Sequence, residues 1–364
     1  MQINSLSMKK FLVFVWAGLI PFFSFSQNTF QAGGKVIDAG TKQPLQGASV
    51  FCQNTTIGTV TNADGEFHLI LNNGGYDLTI SFTGYETQSF HINSGSRDVS
   101  SLSVEMKPKE KSLEEVSVVA SNEVKDGWTK YGQLFFENFI GKTQNSKQCI
   151  IQNPESLRFF FSKKKNRLKV TSREDMIVVN NALGYKIKYQ LDSFIYEYAG
   201  DKTLYDGFPF FEELTGTPEQ VDTWKKSREL AYNGSVLQFM RAYHDSTLNK
   251  MGYKVELIND KTDKASALYN PYDTSIFNIV ENTKVELFFP GKLRVVYANE
   301  KPEAAYLEAN KLSPNTTVQV SILDLNDAII IEENGYFFDQ KDVLTLGYWG
   351  WEKMGDFLPY DYYP

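Results

Sequence analysis

Along this chain apolar and polar residues alternate with a period of two, then fall into a helical period, then return to a period of two. Residues 35–38, 48–51 and 58–61 are short strand-like runs, the first two separated by turn formers at 39–44. Asn62-Ala63-Asp64-Gly65 reads as a hairpin turn, because Gly after Asp supplies the positive φ that a tight hairpin needs. Residues 66–71 alternate out of that turn and 72–75 turn again. In the next run Tyr76, Leu78, Ile80 and Phe82 share one face. Short strands at this spacing predict a β-sandwich over residues 30–107.

A charged stretch containing Pro108 follows, and 108–125 reads as a linker. Between 126 and 140, Trp128, Tyr131, Leu134, Phe135, Phe136, Phe139 and Ile140 recur at offsets of three and four, which predicts a helix stopped by Gly141. Strand-like runs occupy 148–152, 157–161, 168–171, 176–179 and 185–198. In the last, Tyr185, Ile187, Tyr189 and Leu191 point one way and Lys186, Lys188 and Gln190 the other, as in a half-buried antiparallel strand. Thr217-Pro218-Glu219-Gln220 forms a capping box with Pro at the first helical position. Asn233-Gly234 interrupts that helix and Ser235 restarts another. Strand-like runs return at 285–289, 293–297, 317–322 and 328–331. Residues 348–363 are dense in Tyr and Trp, and burial of those rings predicts a tail docked on the second domain. Stacking of the same rings on sugars, or contact with a protein, is the alternative. The expected fold is mainly β. A sandwich precedes an antiparallel β-rich α+β domain over 126–364 with two or three helices.

Residues 1–26 read as an export signal. Lys9 and Lys10 precede the apolar run 11–25, and Ser24 and Ser26 place small residues before Gln27. That run falls short of the roughly 20 residues of a typical spanning helix, and no later stretch is long and apolar enough to span. The expected location is therefore periplasmic or outer-membrane associated, with no transmembrane helix after cleavage. The net charge of -7 argues against nucleic-acid binding. The one basic cluster, Lys163, Lys164, Lys165, Arg167 and Lys169, reads as a solvated hairpin turn. Cys52 and Cys149 sit among apolar residues of different domains and are expected as buried free thiols, although export permits a disulfide.

Pro44-Leu45-Gln46-Gly47-Ala48, the stretch 58–67 and Ile80-Ser81-Phe82-Thr83-Gly84-Tyr85-Glu86 together resemble the carboxypeptidase-regulatory-like domain. The resemblance implies a transthyretin-like seven-stranded sandwich with no catalysis of its own, in an exported chain of Bacteroidetes type. There the domain commonly precedes the plug of TonB-dependent outer-membrane receptors. Residues 113–119 resemble the segment near the TonB-contacting motif of such receptors. The 240 or so residues that follow are too few for the large receptor barrel, so the segment is expected as a strand packed on one of the domains. The stretches 183–189, 210–214 and 224–235 resemble uncharacterised exported proteins that join such a second domain to the same front sandwich. That resemblance implies an architecture and no activity.

Of the three histidines, none opens a His-x-x-Glu pair or a His-Glu-x-x-His motif, so a carboxypeptidase zinc set is absent from the sequence. His68 and His91 are expected at solvent or a sheet edge. Asp64 and Glu66 read as turn and solvent residues, since calcium takes six or more oxygens. There is no Gly-x-Ser-x-Gly elbow and no phosphate loop, and neither a cofactor nor a metal is expected. The strongest polar cluster is Trp224, Arg228, Glu229, Tyr232 and Arg241. The first Trp, Arg and Tyr are four residues apart on one helical face, and Arg241 lies on the next helix. An arginine beside aromatics can recognise a carboxylate or stack on a ring, and the same pattern fits an arginine bracing a helix against a sheet. These five are the candidate ligand-binding residues. The expected function is non-enzymatic binding or envelope assembly, with the sandwich as a docking or spacer module. Outer-membrane proteins and a glycan or peptide ligand are the expected partners. A carboxylate-dependent glycan or peptide hydrolase and a small outer-membrane barrel are the alternatives.

Overall fold

The computed structural model describes residues 29–109, 122–259, 261–262, 264–281, 284–338 and 342–364. Residues 1–26, read above as an export signal, and the 113–119 segment lie outside the described residues.

The front module is built from β1 (Thr29–Asp38), β2 (Ser49–Cys52), β3 (Gly58–Val60), β4 (Glu66–Asn72), β5 (Gly75–Ser81), β6 (Gln88–Asn93) and β7 (Leu102–Met106). They form two sheets, β4-β1-β7 and β3-β2-β5-β6. Every pairing is antiparallel except that of β1 with β7. The expected face of Tyr76, Leu78 and Ile80 is buried with Val36, Val50, Leu71 and Val104. This is the seven-stranded sandwich that the resemblance implies.

Behind it, helix α1 (Gly127–Phe139) lies on a six-stranded sheet. The strands are β8 (Cys149–Ile151), β9 (Leu157–Ser162), β10 (Arg167–Ser172), β11 (Met176–Asn180), β12 (Tyr185–Glu197) and β13 (Lys202–Glu213). The order is β8-β11-β12-β10-β9, with β13 paired along β12. The helical stripe of α1 becomes packing through two fully buried rings. Phe135 meets Phe194 edge-on at 4.9 Å, and Phe139 meets Tyr189 edge-on at 5.0 Å. Full burial of a Phe side chain stabilises by roughly 1.5–3 kcal/mol. Nothing in the sequence pattern pointed to β13, because Pro209 interrupts it and cannot donate to a ladder. It is tolerated because β13 is the strand at the sheet's edge.

Helices α2 (Pro218–Tyr232) and α3 (Val236–His244) then lead into a second sandwich. Its strands are β14 (Tyr253–Ile258), β15 (Ala265–Ala267), β16 (Phe277–Glu281), β17 (Lys284–Leu287), β18 (Lys292–Tyr297), β19 (Gln319–Leu325), β20 (Ile329–Glu332) and β21 (Val343–Gly347). One sheet runs β15-β14-β18-β19-β21, the other β16-β17-β20. Two short helices, α4 (Ala304–Ala309) and α5 (Tyr348–Trp351), also belong to this rear part. The apolar core of this rear part is therefore divided. One cluster surrounds Phe135, Ile187 and Phe211, and another surrounds Phe239, Leu293, Leu323 and Ile331. The described strands form five open sheets, whereas the barrel alternative requires one closed sheet. Cys52 and Cys149 are buried free thiols.

The front module is fastened to the rear along two seams. In the first, the loop after β2 pairs with β13. Asn54 N donates to Pro209 O at 2.9 Å, and Phe211 N donates to Thr55 O at 3.0 Å. The aromatic tail covers the same loop. Tyr360 N donates to Asn54 O at 2.6 Å, and the Asp361 carboxylate accepts from the backbone N–H of Thr56 at 2.9 Å and from its hydroxyl. The tail thus docks on the front module as well as on the second domain.

The second seam joins β5 and β6 to β20 and the turn after it. Asn334 exchanges two hydrogen bonds with the backbone of Gly75, and Asn93 donates to the buried Glu332 carboxylate at 3.1 Å. A Cβ at Gly74, where φ is +138°, would stand 2.3 Å from Asn334 Cγ, so the close approach requires glycine there. His91 was expected at solvent or a sheet edge, and it does lie on β6, the edge strand of its sheet; that edge is covered by the seam, with Nδ1 3.5 Å from Asp77 and Nε2 3.6 Å from Glu332. Its ring stacks on Tyr336 at 5.1 Å. Asp77 faces it across the β5–β6 ladder, whereas Glu332 and Tyr336 come from more than two hundred positions away, which is why local pattern could not show the seam.

Candidate functional site

The capping box forms at the start of α2. Thr217 Oγ1 accepts from Gln220 N, and Gln220 Oε1 accepts from Thr217 N at 2.9 Å. This fixes the rotation of the helix, and Trp224, Arg228 and Tyr232 are the residues it buries. Trp224 Nε1 donates to Asn181 O at 2.9 Å, and its ring covers Gly184. A Cβ at Gly184, where φ is +68°, would come 2.3 Å from that ring.

Arg228 is buried beneath the turn between β11 and β12. Its Nε donates to Leu183 O at 2.7 Å and Nη2 to Gly184 O at 3.1 Å. Nη1 reaches the exposed carboxylate of Glu213 at 2.7 Å, and the guanidinium lies 3.9 Å above the Tyr185 ring. Arg241 holds the tail in the same way. Its Nε donates to Asn334 O at 2.9 Å, Nη1 to Tyr362 O at 2.8 Å and Nη2 to Tyr360 O at 2.8 Å. It stacks on Tyr363 at 4.0 Å. Most of both guanidinium groups is engaged by main-chain carbonyls of this chain. Taking either away would orphan buried acceptors, at about 1–3 kcal/mol for each one left dry.

A cleft of about 430 Å³ opens where the front module, α2 and the tail meet. Its lining is Thr56, Tyr185, Glu213, Lys225, Arg228, Glu229, Pro359, Asp361, Tyr362, Tyr363 and Pro364. Of the five residues singled out in the sequence, Arg228 and Glu229 line it. Trp224, Tyr232 and Arg241 stand behind the walls. Tyr232 meets Tyr362 edge-on at 6.0 Å, and Arg241 secures the tail that forms one side. Thr56 and Asp361 were not foreseen, since the contact spans 305 residues of sequence. The aromatic density of the tail was visible, and its seat was not. Burial holds the Tyr185 and Tyr362 hydroxyls above their ordinary range, so both are neutral donors at pH 7. The cleft therefore offers tyrosine rings, phenolic donors, the Lys225 ammonium, and the exposed carboxylates of Glu213 and Glu229. That set suits a ligand with flat or apolar faces and mixed charge.

Perturbed carboxyl groups gather elsewhere. Asp356 accepts from Thr143 and Asn145, and burial pushes its carboxyl up to about 7. Burial also raises Glu352, with Asp356, Glu300 and Glu303 adding repulsion. Neither Asp356 nor Glu352 is part of the lining of the cleft. Among the described residues no three His, Cys, Asp or Glu side chains converge so as to hold a metal ion.

Residues 32–118 match the model of the CarboxypepD_reg-like domain. The TonB-dependent receptor SusC of Bacteroides thetaiotaomicron is 30% identical over 119 residues, covering 32% of this chain and 11% of the receptor. The TonB-dependent receptor P39 of Formosa agariphila is 34% identical over 110 residues, covering 29% of this chain and 10% of the receptor. The match thus spans about a tenth of the length of these relatives. Among solved structures, a DUF3823 family protein from Bacteroides ovatus aligns with 52% of this chain and 83% of its own, at 11% identity and a TM-score of 0.18. Another from Parabacteroides merdae aligns with 54% of this chain and 85% of its own, at 12% identity and a TM-score of 0.18.

Proposed function

We propose that this chain is an exported, non-enzymatic protein of the outer-membrane periphery that binds a ligand or partner in the cleft between its front module, α2 and its tail. The observation that carries the reading is the composition of the cleft walls. Thr56 comes from the CarboxypepD_reg-like module, Lys225, Arg228 and Glu229 from α2, and Asp361 and Tyr362 from the tail. The front module then acts as a wall of the site in addition to any docking it performs. The similarity of that module to parts of two TonB-dependent receptors supports an envelope setting. Lys225 and Glu229 are exposed on the rim, so they can meet a partner without disturbing the fold.

The test combines membrane fractionation and protease shaving of intact cells with crosslinked co-purification. The reading expects the protein in the membrane fraction, with a defined companion recovered by the wild type and lost from K225E/E229K. A soluble protein with the same companions in both forms would contradict it. The hydrolase alternative draws on the raised carboxyl of Asp356. Turnover of glycan or peptide substrates that D356N abolishes would move the weight there.

A further inference from the structure

A second cleft, of about 600 Å³, lies at the far end of the six-stranded sheet, and none of its lining belongs to the site above. That volume falls within the usual range for small-molecule sites, about 300–1,000 Å³. Its floor is aromatic. Tyr131 of α1 and Phe161 of β9 stack at 16° with centroids 6.0 Å apart, and Tyr198, outside the lining, braces Phe161 edge-on at 5.9 Å. Its rim is the β9–β10 turn, which brings Lys163 and Lys164, with Asn122 and Ser162 as neutral polar groups.

The electrostatics of this cleft are one-sided. The single carboxylate in the lining, Glu123, is already neutralised. Arg158 Nε holds one of its oxygens at 2.9 Å, and Arg173 stands 3.8 Å away. Lys163 and Lys164 are exposed and make no ion pair among the described residues. A solvated turn explains the lysines alone. It does not explain why unpaired ammonium groups share a cleft with a stacked pair of rings and a carboxylate that two arginines have silenced.

We propose that this cleft is a binding site for an anionic saccharide, a sugar chain bearing carboxylate or sulfate groups. The C–H face of a pyranose ring packs on the electron-rich face of an aromatic ring. The carboxylate or sulfate takes charge-assisted hydrogen bonds from the lysines. Asn122 and Ser162 match the hydroxyls. An acidic peptide would use the lysines and leave the aromatic floor without a flat partner.

The test is isothermal titration of the full chain at low salt with trigalacturonic acid and a heparin tetrasaccharide, and with maltotriose and tetraglutamate as controls. The proposal expects binding of at least one anionic saccharide, with maltotriose and tetraglutamate at least tenfold weaker. In K163E/K164E the affinity should fall about tenfold or more, the scale of one lost charge-assisted hydrogen bond. The two positions are exposed in a turn, and an unchanged melting temperature checks that the variant is folded. Saturation-transfer NMR should place the sugar C–H protons against Tyr131 and Phe161. Absence of binding to both anionic saccharides would overturn the proposal, as would equal binding of tetraglutamate or unchanged affinity in K163E/K164E.

Discussion

The two seams that fasten the front module are made of different chemistry. Along β5 and β6 the contact depends on side chains, several of them charged, which meet one another and, through Asn334, the main chain of Gly75. Glu332 is buried to 2% exposure and faces His91, Asn93 and, at 3.9 Å, Lys284. Along the loop after β2 the contact is mostly main chain, through Asn54, Thr55, Pro209, Phe211 and Tyr360. The difference teaches where each seam is vulnerable. A side-chain seam can be broken by one substitution and can titrate. A main-chain seam is indifferent to most substitutions and to pH, and yields only when the segment that covers it is released.

Four outcomes would break or sharpen that contrast. The largest effect is expected from Glu332→Ala, which leaves His91 and Asn93 facing an empty buried position. Breaking a buried charged pair from one side costs about 3–5 kcal/mol, which denaturant unfolding would register. Arg241→Ala should come next, at about 2–3 kcal/mol for orphaned carbonyls. Its signature is specific: the tail around Tyr360 and Tyr362 becomes open to limited proteolysis while the front sandwich stays intact. A variant that loses stability with no new cleavage there would place Arg241 outside the tail seam.

The third outcome is a pH dependence confined to the side-chain seam. Burial works against a charged His91, but Asp77 and Glu332 outweigh it and push its pKa up to about 9. A folded-state value above the ordinary 6.5 means that the stabilisation is complete below about 6.5 and is lost as pH rises through about 9. The melting temperature should fall over that window, and His91→Gln should flatten the fall. A profile unchanged by that substitution would assign the titration to other groups. The smallest effect is expected from Thr56→Ala, about 1 kcal/mol for one part-buried side-chain hydrogen bond, with the main-chain pairing intact.

The same contrast separates what the sequence disclosed from what it withheld. The front strands were legible because alternation has a period of two and the Asn62–Gly65 turn has its own chemistry. Helix α2 was legible because a capping box is a local signal. The face of Trp224, Arg228 and Tyr232 was correct as a face. What that face met was not readable, because Leu183, Gly184 and Glu213 arrive through sheet pairing, and the tail carbonyls arrive from more than a hundred residues away. The cleft was half visible, in Arg228 and Glu229, for the same reason. Its remaining walls come from Thr56, from Tyr185 and Glu213 of the sheet, from Lys225, and from the tail at Pro359 and Asp361 to Pro364. β13 was hidden by Pro209, whose tolerance depends on an edge position that only the assembled sheet defines. The division of the rear core into two clusters was also out of reach, since both halves alternate with the same period.

The central claim is that the front module is a fixed wall of the binding cleft. Amide hydrogen exchange tests it most directly, at two positions whose acceptors lie across the seam: Asn54, which donates to Pro209, and Phe211, which donates to Thr55. If the account holds, both amides are protected to the same degree as those in the centre of β12. If they exchange at the rate of an open loop while β12 and β5 remain protected, the module is a loosely tethered unit and the cleft does not persist in solution.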